Sequence, residues 1–220
     1  LNAVLAGGGP ISASVVHHAI ESGVPLHLTY GMTETASQIT TTEKLTACRS
    51  RIHAGKPLPV RELRISPSGE VQVRGGILAT GVLTSSGQLE SITDAEGWAS
   101  TRDVGTLNKN NELILLGRRD RMIISGGENI HPERIEAILS DVPGVVRVAV
   151  VGITHPVFGM RPVAFVTGNV NVESLRDFLG ERVERFSIPD FFFPWPDSIP
   201  IDDAKIDYSQ LTRLAETMAH

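Results

Sequence analysis

The spacing of apolar residues changes twice along the chain. Leu1–Ala6 is almost continuously apolar, reads as a buried strand and runs into Gly7-Gly8-Gly9-Pro10. Ser12–Ser22 predicts a helix with Val15, Val16, Ala19 and Ile20 on one side, closed by Gly23-Val24-Pro25. Leu26–Tyr30 predicts a second strand, and the β-α-β order predicts a parallel pair. The period then shortens to two. VRELRIS and EVQVRG alternate around Pro67-Ser68-Gly69 and predict an antiparallel hairpin, and ELILLGR adds a strand, so residues 50–116 read as a small β-rich unit.

Beyond Asp120 the pattern changes again. Met122–Ile124, with Ser125, reads as a short buried strand, and Pro132 with Glu133 reads as the first turn of a helix over Pro132–Ser140 with Ile135, Ile138 and Leu139 inward. VVRVAVVGI and RPVAFVTG predict two strands. Asn171 is placed to cap a helix carrying Leu175, Phe178, Leu179 and Val183, and a last helix starts near Asp207. The expected fold is α/β plus α+β. Residues 1–119 form a parallel β-α-β layer with a β-rich unit, and residues 120–220 form a compact α+β domain of ordinary size.

Of the 220 residues, 41% are hydrophobic and 20% charged, which suffices for a packed core. The net charge is −5 with no basic tract, so neither nucleic acid nor an anionic membrane is expected as partner. The single cysteine, Cys48, allows no internal disulfide and suits a reducing, cytoplasmic setting. Residues 1–20 lack Asp, Glu, Lys and Arg, but the glycines interrupt the run and no basic segment precedes it, so no membrane span or signal is expected. A core strand at Leu1, without a Met, is expected of an excerpt from a longer protein. A homo-oligomer is left open.

Five stretches could carry chemistry. AGGGP follows the first strand, where missing side chains let a ring or a phosphate approach backbone; it also reads as a plain turn. TYGMTETASQ follows the second strand and would share that sheet edge, with the Tyr30 ring, the Thr33 hydroxyl and a Glu34 carboxylate able to hold Mg²⁺. In EGWASTRDVG, Asp103 lies between a turn and a strand, where a carboxylate could accept both hydroxyls of a ribose or simply cap a turn. IPIDDAKIDYSQL carries Lys205 in a loop among Asp202, Asp203 and Asp207. GRRDRMIISGGENIHPERIE, from Gly117 to Glu136, crowds four arginines and one aspartate around an apolar tetrapeptide, followed by two glycines, into one joint.

In chain order, with the Gly117–Glu136 stretch between the third and the fourth, the five resemble the acyl-adenylate-forming superfamily of acyl-CoA synthetases, adenylation domains and luciferase. YGMTE is similar to its central motif and GRRDRMIISGGENIHPERIE to its hinge motif. EGWASTRDVG, FGMRPVAFV and AKIDYSQL narrow the resemblance to the ligases of menaquinone synthesis that join o-succinylbenzoate to CoA. Two departures stand out. Arg102 replaces the glycine of the usual Thr-Gly-Asp, and Ala204 replaces the glycine before the lysine. The Ser/Thr/Gly-rich phosphate loop that precedes YGMTE in the family is absent, so the isolated 220 residues are expected to be inactive.

The resemblance implies a C-terminal part of the large adenylating domain over 1–119 and a small mobile domain over 120–220. It implies ATP, Mg²⁺ and CoA as co-substrates and cofactor, with an aromatic carboxylic acid as the acyl donor. Gly7, Gly8 and Gly9 would lie along the adenine with Tyr30 against the ring, and Gly31 would belong to the same nucleotide site. Thr33 would bond phosphate and Glu34 would hold the metal. Asp103 would take the ribose and Arg118 the ribose–phosphate region. Lys205 would join the carboxylate to the α-phosphate, Asp120 would be the hinge, and Ser125, Gly126 and Gly127 would border the CoA arm. Ser37 would touch the acid. Ligation of another aryl or fatty acid, carrier-protein loading, and a non-catalytic nucleotide-binding fragment stay open.

Overall fold

The computed structural model describes residues 1–47, 52–201 and 206–219; Cys48 and Lys205 lie outside the described residues. The chain divides into two compact units, Leu1–Arg119 and Asp120–His220. Among the described residues no helix is long and apolar enough to cross a membrane.

In the first unit, β1 (Val4–Ala6) and β2 (Leu26–Met32) are parallel neighbours joined through α1 (Ala13–Glu21). Ser12 caps α1, its Oγ accepting from the Val15 N–H at 3.3 Å. Two expectations need correction. β1 is shorter than Leu1–Ala6 and lies at the end of its sheet, so Leu5 stays 57% exposed. Val15 points outward, because the inward stripe runs through Val16, Ala19 and Ile20 at helical i, i+3, i+4 spacing.

The sheet continues antiparallel through β3 (Ser37–Thr41) to β4 (Lys56–Pro57). The pattern of apolar residues does not announce β3; its inward positions include Thr40 as well as Ile39, which hides the alternation. Between β2 and β3 the register slips at Tyr30/Gly31. A Cβ at Gly31 would run into the Ser37 carbonyl oxygen, so this position admits no side chain.

The second sheet has the order β10-β9-β6-β5, from β5 (Arg61–Ile65), β6 (Glu70–Gly75), β9 (Ala99–Leu107) and β10 (Leu113–Arg118), with a separate two-residue hairpin of β7 (Val82–Leu83) and β8 (Leu89–Glu90). β5 and β6 form the hairpin expected around Pro67-Ser68-Gly69. The two main sheets share one core: Tyr30 and Ile39 from the first meet Val71, Val73, Ala99 and Leu113 from the second.

The second unit is a five-stranded sheet with helices on both faces. It holds β11 (Ile123–Ser125), β12 (Glu128–Ile130), α2 (Pro132–Ser140), β13 (Val145–His155), β14 (Gly159–Gly168), α3 (Val172–Gly180), β15 (Phe191–Pro194) and α4 (Tyr208–Met218). β13 and β14 read as near-continuous apolar runs because both faces are buried. Val148, Val150, Ala164 and Val166 pack with Ile135 and Leu139 of α2 and Leu175 and Leu179 of α3. Ala149, Val151, Ile153, Val163 and Phe165 pack with Leu211 and Ala215 of α4 and with Trp195. Asn171 caps α3 through its side chain, as expected, and the helix expected near Asp207 is α4, which the Asp207 side chain caps. Phe178 is half-buried, and Val183 joins the core from beyond the end of α3.

β11 is not buried throughout: Ile123 and Ser125 face inward and Ile124 is 52% exposed. The glycines after it do not lead straight into a helix. Gly126 (φ 59°) and Gly127 (φ 88°) turn a two-residue hairpin into β12, and positive φ at both positions is what such a turn requires.

Replacing Gly31 by Ala should cost about 3 kcal/mol or more, since backbone on both strands must move. Chemical denaturation should show the loss in the first unit, with signals of the second unit unchanged.

Candidate functional site

Because β1 and β2 are parallel neighbours, their C-terminal ends open onto one edge of the sheet. Gly7-Gly8-Gly9 leaves β1 there, and a short 3-10 turn, Thr33–Thr35, leaves β2. The glycines differ in what they require. A Cβ on Gly7 would collide with the Thr29 carbonyl oxygen, and Gly8 holds φ 86°, whereas Gly9 has neither constraint. The loop thus lies against the backbone of β2.

Thr35, fully buried, fixes the turn. Its hydroxyl accepts from the Met32 N–H (3.1 Å) and lies 2.9 and 3.1 Å from the Met32 and Ser37 carbonyls, one of which takes its proton. Ala36 (φ 49°) and Ser37 (φ 97°) then reverse the chain in left-handed conformations. Thr33 and Ser37 are left exposed and Glu34 half-buried, the Glu34 backbone carbonyl accepting from the Ala79 N–H at 2.8 Å. The Glu34 carboxylate takes no partner among the described residues. No cluster of three metal-binding side chains occurs among them either, so any ion at Glu34 would need ligand oxygens from elsewhere. That suits Mg²⁺, which is commonly held by one or two carboxylates together with substrate phosphates.

Tyr30, Asp103 and Arg118 come together from three strands. Asp103 and Arg118 are directly paired in the β9–β10 ladder. The Tyr30 hydroxyl donates to Asp103 Oδ2 at 2.6 Å, and Arg118 Nη1 donates to Oδ1 at 3.3 Å. Burial, reinforced by the adjacent carboxylate, pushes the Tyr30 phenol far above its ordinary pKa, so it remains the donor. Two expectations change here. Asp103 lies inside β9, not at its start, held by its N–H to Thr101 Oγ1 (3.1 Å). The Tyr30 ring is only 8% exposed, a core member, and leaves little open face for stacking.

Glu70 carries no signal in the sequence. Its carboxylate is buried and accepts from the Ser100 hydroxyl, from the Arg102 N–H at 3.0 Å and from Arg119 Nη1 at 2.9 Å. Arg102 has φ 62°, a left-handed conformation that a glycine would enter more easily.

In the second unit Ser125 is 2% exposed and its Oγ accepts from Arg161 Nη1 at 3.3 Å, so its side chain is committed inward. A ligand passing this turn would meet backbone at Gly126 and Gly127, both exposed, with the Gly126 N–H donating to the Phe158 carbonyl at 2.8 Å. Asp120 is exposed in a 3-10 turn, Arg119–Arg121. Arg121 is half-buried and pairs with Glu136 (2.6 Å) and Glu133 (3.1 Å), with its guanidinium 3.6 Å from the Tyr208 ring centroid. Burial opposes its charge, but the two carboxylates outweigh burial and hold its pKa above the ordinary value. The same surroundings, burial foremost, push the Tyr208 phenol up to about 12.

Known proteins resemble this chain in sequence and fold. Residues 134–202 match the AMP-binding enzyme C-terminal domain. A 2-succinylbenzoate–CoA ligase of Bacillus cereus (strain Q1) is 37% identical over 199 residues, covering 86% of this chain and 41% of that protein. The chain therefore spans about two fifths of the length of the curated relatives it matches. The o-succinylbenzoate CoA synthetase of Bacillus subtilis, in complex with the acyl-adenylate intermediate OSB-AMP, superposes with a TM-score of 0.86 at 32% identity, over 96% of this chain and 46% of that one. The same synthetase in complex with ATP and magnesium ion gives 0.80 at 33% identity, over 90% of this chain and 43% of that one. Over most of its own length the chain is therefore similar to 2-succinylbenzoate–CoA ligases, and its residues 134–202 match the AMP-binding enzyme C-terminal domain.

Proposed function

We propose that this chain is the C-terminal part of an AMP-forming acid–CoA ligase that converts o-succinylbenzoate to o-succinylbenzoyl-CoA for menaquinone synthesis in the cytoplasm. Leu1–Arg119 would complete the large adenylating domain, and Asp120–His220 would be the small mobile domain. The observation that carries the reading is the convergence of Tyr30, Asp103 and Arg118 beside the edge where the glycine loop and Glu34 leave a parallel strand pair. The acyl-adenylate and the ATP with magnesium in the solved relatives support it.

A carboxylate is a poor electrophile, so the acid first attacks the α-phosphate of ATP, releasing pyrophosphate. The CoA thiol then displaces AMP from the acyl-adenylate. The first step needs positioning and charge neutralisation more than acid or base. Asp103, aligned by Tyr30 and Arg118, would accept the ribose hydroxyls. Arg118 would also face the ribose–phosphate region. Gly7–Gly9 would line the adenine, with the Tyr30 edge behind and Gly31 in the same nucleotide site. Thr33 would bond the phosphate, and Ser37 would reach the acid. Mg²⁺, held by Glu34, would offset phosphate charge when bound. Lys205 would bridge the attacking carboxylate and the α-phosphate. Rotation about Asp120 would then bring Ser125-Gly126-Gly127 to the CoA arm through backbone.

The first test is pyrophosphate release by the protein, with any chain that precedes Leu1 in its gene, across o-succinylbenzoate and a panel of aryl and fatty acids, with and without CoA. Selective release with o-succinylbenzoate and a thioester on adding CoA are expected. Release with another acid alone would retain the chemistry and reject the substrate; none with any acid would favour a non-catalytic nucleotide-binding fragment. Lys205→Ala should lower adenylation by about 10²–10³ and spare thioester formation from supplied acyl-adenylate; an equal fall in both would remove the role of Lys205. Tyr30→Phe should raise KM for ATP about tenfold, the worth of one hydrogen bond to a charged group, with KM for CoA unchanged. An unchanged KM for ATP would separate Tyr30 from the nucleotide site.

A further inference from the structure

A hinge is defined as much by what is held beside it as by what turns. Backbone freedom on both sides of Asp120 would let a rotation spread over several residues, and the delivered groups would then arrive in a range of positions. The residues either side of Asp120 are held instead. Arg119, the last residue of the first unit, gives Nη1 to Glu70 at 2.9 Å. Glu70 is itself rigid. It stands in β6 opposite Val104 of β9, its N–H donates to Ser66 Oγ (3.0 Å), and its carboxylate also takes the Ser100 hydroxyl and the Arg102 N–H.

Arg121, the second residue of the second unit, is held from three elements at once. Its Nη atoms reach Glu136 at 2.6 and 3.2 Å and Glu133 at 3.1 Å on α2, and the Val150 carbonyl on β13 at 3.2 Å. The Tyr208 ring at the start of α4 lies beneath the guanidinium at 3.6 Å. Glu136 in turn accepts from the Val150 N–H at 2.7 Å. The glycines nearest on each side are also committed, Gly117 inside the β9–β10 ladder and Gly126 in the β11–β12 turn.

We infer that Arg119 and Arg121 are positioning residues, one pinned to each unit, that confine the rotation to the backbone of Asp120. This rests on the proposed two-state ligase, and it assigns to two arginines a part that the reaction chemistry does not. Arg121 is too deeply paired for a clean test, because its loss would remove the guanidinium that the buried Glu136 faces and strongly destabilise the second unit. Arg119 is 56% exposed, and Glu70 keeps its other two donors without it. It is the residue to vary.

The experiment compares wild type, Arg119→Gln and Arg119→Lys in the full-length protein by amide hydrogen exchange and by half-reaction kinetics. In Arg119→Gln, amides over residues 117–119 should exchange about tenfold faster, as expected when one charge-assisted hydrogen bond is removed, with β5, β6 and β13 unchanged. Overall turnover should fall about tenfold, KM for ATP should hold, and each half-reaction measured alone should change less than twofold. Arg119→Lys, which can still reach Glu70, should recover most of both effects. Unchanged exchange in Arg119→Gln, or half-reactions that fall together with overall turnover, would overturn the pin. If wild type shows no pyrophosphate release but the exchange result holds, the pin stands and the ligase reading fails. Release in wild type with no exchange change gives the converse.

Discussion

The hydrogen bond from the Tyr30 hydroxyl to Asp103 spans the two main sheets of the first unit. Its donor stands on β2, beside the edge where the glycine loop and the Thr33–Thr35 turn emerge; its acceptor stands on β9, in register with Arg118 on β10. Removing one end would leave the other without its fixed geometry. The shared core beneath, from Tyr30 and Ile39 to Val71, Val73, Ala99 and Leu113, sets how far apart the two sheets can lie. A buried aromatic ring thus positions a polar group at its tip, and the 8% exposure of Tyr30 follows from that division of labour.

Where periodicity and capping agree, the elements are legible in the sequence. Pro132 at the start of α2, Asn171 and Asp207 as caps, and the apolar runs of β13 and β14 each carry a local signal. β3, β12 and β15 do not. β3 buries Thr40 beside Ile39, so its alternation looks polar. β12 is three residues behind a glycine turn and resembles the lead into the helix that follows. β15 pairs parallel with β14, which no turn residue announces. The limit is the same in each case: pairing across the chain decides the structure, and a window of sequence does not contain the partner.

The site shows the same division. The motif stretches point to Glu34, Asp103 and Arg118 because the family resemblance carries them. Glu70 is invisible there, since a glutamate in EVQVRG reads as the outward half of an alternating strand. Its partners lie 30, 32 and 49 residues away. Nothing local distinguishes a glutamate in water from one that collects three donors.

Glu70 also accounts for the departure at Arg102. A non-glycine residue in a left-handed conformation costs about 1–2 kcal/mol. The Arg102 N–H, turned by that conformation, meets a buried carboxylate at 3.0 Å, and a hydrogen bond to a charged group returns about 1.5–3 kcal/mol. The two magnitudes are comparable, so arginine is tolerated where glycine would be easier. The bond depends on backbone, not on the arginine side chain, so the position is permissive as long as Glu70 is present. The acceptor that makes Arg102 tolerable is the one that holds Arg119. A change at Glu70 would therefore disturb the strand bearing Asp103 and the approach to Asp120 together, two features 17 residues apart in the chain that the motifs alone present as independent.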